Sequence, residues 1–89
     1  MKFGDYLIES TLAQYKKQIK SQGIYLSIYP GSMGSNWDGT WWTAKWSDGN
    51  TDQVTITAYK KFDGLSYCRS QAIKKAYITR AEAEGIKLS

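Results

Sequence analysis

Cys68 is the one thiol of the chain, and none of the 89 residues is a histidine that could activate it. A cysteine nucleophile needs a neighbouring base or a depressed pKa to reach its thiolate, so Cys68 reads as a small core residue. The absence of histidine also removes the commonest general base and the commonest transition-metal ligand. Carboxylates remain, but Asp38, Asp48, Asp52 and Asp63 each adjoin Gly or Thr, where such side chains cap turns. No two of them are marked as a convergent acid and base. Gly31, Gly34 and Gly39 follow a strand-like run, yet lack the Gly-Lys-Ser/Thr ending and the helix of a phosphate-cradling loop. The chain is therefore expected to be no enzyme and to hold no cofactor or metal.

What the sequence does supply is amphipathic aromatic surface. Four Trp and seven Tyr accompany only two Phe, a bias found at binding surfaces as well as in cores. Net charge is +4 from twelve Lys and Arg against eight Asp and Glu. That excess tolerates an anionic partner without requiring one.

The elements that must position these aromatics follow from periodicity. From Asp5 to about Ser21, Ile8, Leu12, Tyr15 and Ile19 recur at helical spacing, and Gly23 ends the run. Asp5 and Glu9 open this helix while Lys16, Lys17 and Lys20 close it, as its dipole favours. The period then drops to two. Ile24, Leu26 and Ile28 alternate with Tyr25, Ser27 and Tyr29; Trp42, Ala44 and Trp46 alternate with Trp41, Thr43 and Lys45; Val54, Ile56 and Ala58 alternate with Thr55, Thr57 and Tyr59. Asp48-Gly49 predicts a tight hairpin between the second and third runs. The longer connection, Pro30 to Gly39, carries Met33 and Trp37. A second helix is predicted from Ser70 as N-cap, with Ala72, Ile73, Ala76, Tyr77 and Ala83 as its apolar stripe, Gly85 as its stop and Ile86 as the contact beyond it. The span from Phe62 to Arg69 reads as a turn leading into that helix, a short strand or a backward extension being the alternatives. The expected fold is one α+β domain over 1–89, a two-layer sandwich of helix-strand-strand-strand-helix order, with a three-stranded antiparallel sheet and both helices on one face.

If the helices cover the face bearing Trp42 and Trp46, the opposite face stays open. Tyr25, Tyr29, Trp41, Thr43, Lys45 and Tyr59, together with Met33 and Trp37 of the 30–39 loop, are then the candidate partner-binding residues. Two partner classes fit. Exposed Tyr and Trp stack on bases while Lys neutralises phosphate, but only Lys45 lies on the platform; Lys16, Lys17, Lys20, Arg69, Lys74 and Lys75 belong to the helices. A protein partner suits this near-neutral aromatic surface better, with nucleic acid second, and a sheet face or edge serves a homodimer equally well.

The order of elements resembles that of double-stranded RNA-binding domains, and the stretch from Arg69 to Ala76, with Ser70, Ala72, Lys74, Lys75 and Ala76, is similar to the basic start of their last helix. Lys74 and Lys75 come a turn later than in that family, and the loop after the first strand has no histidine. The resemblance implies duplex RNA recognition, one form of the nucleic-acid alternative, and no family membership. A single Cys and the lack of an apolar leader or span predict a cytoplasmic protein with no membrane partner. Small size, missing catalytic parts and missing targeting match virus- or mobile-element-encoded accessory factors that bind and inhibit host machinery, including nucleic-acid-guided defence.

Overall fold

The computed structural model describes residues 3–31 and 37–86, with 3–10 described by backbone alone. Its elements run α1 (Phe3–Ser21), β1 (Leu26–Pro30), β2 (Trp41–Trp46), β3 (Thr51–Thr55), α2 (Lys60–Asp63) and α3 (Leu65–Ala83). The strands form one open antiparallel sheet in the order β1-β2-β3. Extents of 37 × 35 × 18 Å describe a slab, and its thin dimension suits one sheet under one layer of helices. The expected α+β architecture is therefore observed.

Each helix stops where its glycine predicts. Gly23 N–H donates to Lys20 and Ile24 N–H to Ile19, while Gly85 N–H donates to Glu82 and Ile86 N–H to Ala81. Both patterns are Schellman motifs, in which the residue after the glycine returns to the core; Ile24 and Ile86 do pack against it. On α1, Leu12, Tyr15 and Ile19 are buried. The α3 stripe is built of small residues, Cys68, Ala72, Ala76 and Ala81, with Tyr77 and Arg80 beside it. A helix with such a stripe approaches a sheet closely, and the volume is filled from the sheet side by Trp42 and Trp46 around Ala44.

Four expectations are corrected. α3 begins at Leu65, not at Ser70, which is an exposed mid-helix residue; Gly64, between α2 and α3, takes the N-cap position. Ala83 is exposed and Ala81 takes its place in the stripe. β3 spans Thr51–Thr55, earlier than the alternation of 54–59 implies, although Val54, Ile56 and Ala58 are all buried as that alternation requires. β1 opens at Leu26, two residues after the start of its apolar run.

A charged contact ties the hairpin to α3. Arg80 is 8% exposed and donates to both oxygens of Asp48, at 3.2 and 2.5 Å. Its guanidinium lies 4.8 Å from the Trp46 ring, and Glu84 stands 3.5 Å from Nε. The hydrogen bonds from Arg80 hold the Asp48 carboxyl below the usual carboxylate range against a smaller opposing effect of desolvation. Burial, reinforced by Glu84, raises the nearby Tyr15 hydroxyl above its usual pKa.

Candidate partner-binding face

Strand parity decides which aromatics meet solvent. Because successive side chains alternate, Trp42, Ala44 and Trp46 enter the core while Trp41 and Lys45 stay exposed and Thr43 is half-buried. Trp42 is anchored from within: its Nε1 donates to the Gly39 carbonyl at 2.7 Å. Trp46 donates to Asp52 at 3.1 Å and meets Tyr77 edge-on at 5.1 Å.

Register assembles the open face in rows. Tyr29 lies opposite Thr43, which lies opposite Gln53; Ser27 lies opposite Lys45, which lies opposite Thr51; Trp41 lies opposite Thr55. The Thr43 hydroxyl donates to Gln53 Oε1 at 3.0 Å, and the Lys45 ammonium sits 5.7 Å from the Tyr29 ring centre, within cation–π range. The Trp41 indole lies against Gly31, occupying the space where any side chain at that position would start. Glycine is thus what lets this ring lie on the sheet. Tyr25 continues the β1 parity past the strand's start, its N–H bound by Ser47 Oγ at 2.9 Å. Tyr25, Tyr29 and Trp41 keep 63, 49 and 44% of their surface exposed, so this face is uncovered by the rest of the described chain.

Two expected members lie elsewhere. Trp37 is half-buried, edge-on to Trp42 at 5.5 Å, with the Lys60 ammonium 4.8 Å over its ring and its Nε1 donating to the Trp41 carbonyl at 3.3 Å. It closes the end of the core rather than adding to the open face. Tyr59 is exposed but lies beyond β3 and packs edge-on to Phe62 at 6.4 Å. Met33 falls outside the described residues. Phe62, 78% exposed, forms with Tyr59 an exposed aromatic pair that the sequence reading missed, and Leu65 just beyond it is 50% exposed. Spacing alone gave no signal for that exposure, because Leu65 stands three residues before Cys68 and so shares the helical face of the buried stripe.

The turn carboxylates are occupied as turn residues. Asp38 accepts from the Thr40 amide and hydroxyl, which together lower its pKa. Asp48 accepts from Asn50 and Asp63 from the Tyr59 amide. Burial, then the charges of Asp63 and Asp38, pushes the Cys68 thiol upward, away from thiolate. Among the described residues no three metal-ligating side chains come together, and no helix is long and apolar enough to cross a membrane.

No family model, curated protein or solved structure matches the chain. The resemblance to double-stranded RNA-binding domains is left with element order alone, because the stretch from Arg69 to Ala76 lies inside α3 and not at its start.

Proposed function

We propose that the chain is a non-enzymatic binding protein whose open sheet face docks on the surface of another protein. One observation carries the reading: Tyr25, Tyr29 and Trp41 stand about half-exposed on one face whose only cation, among the nine strand and flanking positions named above, is Lys45. Rigid aromatics in a setting of Thr and Ser supply contact area at low entropic cost, the property of interface hot spots. The cations of the helices lie in the other layer, as Lys16 over Tyr77 illustrates.

Occlusion is the mode of action that suits so small a face, and inhibition of host machinery by a virus- or mobile-element-encoded factor, nucleic-acid-guided defence included, is the biological setting we propose for it. A cytoplasmic setting belongs to the same proposal, supported by one buried, unpaired cysteine. Nucleic acid is the second reading, favoured by the ammonium of Lys45 beside the Tyr29 ring. The test is binding by Trp41→Ala and Tyr29→Ala, each verified as folded, to a partner retained after nuclease treatment. Each should weaken binding by about 2 kcal/mol if the residue is a hot spot. Undiminished binding by both would remove this face from the function.

A further inference from the structure

β3 is an edge strand. Ile56 N–H donates to Thr40 and Trp46 N–H to Asn50, so with the β2–β3 register the even-numbered residues of β3 carry the ladder. Thr51, Gln53 and Thr55 therefore aim their N–H and C=O groups away from the sheet. At the other edge Pro30 interrupts the donors of β1. Thr51–Thr55 contains no Pro, Lys or Arg to blunt the edge against pairing, and its one charge, Asp52, lies on the core-facing parity, where it accepts from Trp46 Nε1.

α3 runs beside this edge in the opposite direction, and the groove between them changes sign along its length. At one end a cavity of about 210 Å³ is lined by Thr55, Thr57, Gln71, Lys74 and Lys75. At the other a cavity of about 230 Å³ is lined by Thr51, Asp52, Arg80 and Glu84. Arg80 is shared there by Asp48 and Glu84, and with Asp52 three carboxylates face one guanidinium, which leaves that end acidic.

We propose that a second copy of this chain docks on this edge, β3 pairing antiparallel with its twofold mate about Gln53 to give a six-stranded sheet. The backbone fits, since Thr51 of one copy then faces Thr55 of the other and Gln53 faces Gln53, all of them positions with outward hydrogen-bonding groups. The charge fits as well. An antiparallel mate lays the basic end of one groove against the acidic end of the other, Lys75 toward Glu84, and twofold symmetry makes that match twice. An acidic peptide would match only one end. This inference goes beyond the proposed function and does not depend on the aromatic face, which the dimer leaves open.

Sedimentation equilibrium over a concentration series tests it. The wild type should show twice the chain mass, with dissociation favoured by high salt. Lys75→Glu and Glu84→Lys should each weaken the dimer at least about tenfold by like-charge juxtaposition, and mixing the two variants should restore it, because every cross-copy pair is again opposite in sign. Gln53→Pro should be monomeric with an unchanged circular dichroism spectrum; if that variant does not fold, Thr55→Lys takes its place. A wild type that stays monomeric at all concentrations overturns the proposal, even if it binds a Glu-rich peptide. So does a dimer that survives the edge variants, or a mixture that fails to re-form it.

Discussion

Trp42 is 1% exposed and its neighbour Trp41 44%, so adjacent indoles do opposite work. Trp42→Ala opens a cavity beside Trp37 and strips the Gly39 carbonyl of its donor, and should cost about 3–5 kcal/mol. Trp41→Ala uncovers Gly31 on the open face and should cost about 1 kcal/mol or less. Urea unfolding of both variants checks the assignment, and the reverse ranking would mean the faces are exchanged. Asp48 supplies a second residue-scale test, in pH. Its pKa is lower folded than unfolded because Arg80 donates to it. The stabilisation is therefore complete above the ordinary carboxylate range and is lost as pH falls through the folded value. Melting temperatures should drop below about pH 5. Asp48→Asn should be less stable at pH 7 and show a shallower acid slope, while parallel slopes for the two proteins would rule out this pair as a source of the acid sensitivity.

The elements divide into those that periodicity reveals and those that a single backbone angle decides. Strand parity was legible because β2 carries two indoles and an alanine at one parity and Trp, Thr and Lys at the other, and only one set fits a core. The start of α3 was not legible. Ser70 has the chemistry of an N-cap, and Leu65 and Tyr67 look like core residues, yet both are half-exposed, Leu65 because it opens α3 one turn before the buried stripe begins at Cys68. The break lies instead at Gly64, whose φ of 87° and ψ of 153° fall in a region that only glycine occupies readily. Gly64→Ala should cost about 1–3 kcal/mol, read as a lower urea midpoint. A neutral result would show that α2 and α3 tolerate fusion into one helix. Of the open face, Tyr25, Tyr29, Trp41 and Lys45 were legible from parity. Trp37 was not, since a loop gives no period from which to learn that its indole turns back onto Trp42.

At the scale of the molecule, a +4 chain carries its aromatic platform and most of its helical cations on opposite layers, and salt separates the two as binding surfaces. Each phosphate neutralised by a cation contributes about −0.9 to the slope of log affinity against log salt on a duplex. A ligand seated on the open face meets Lys45 alone among the strand positions, so its slope should be no steeper than about −1 whatever its class. A ligand held by six or more cations would lose about a thousandfold or more between 50 and 200 mM salt. The measurement is affinity across that range, before and after nuclease. A shallow slope that survives nuclease supports a protein on the aromatic face. Shallow binding abolished by nuclease assigns the same face to bases stacked on Tyr29 and Trp41. A steep slope moves the site to the lysines of α1 and α3, and the open sheet face is then not where this protein binds.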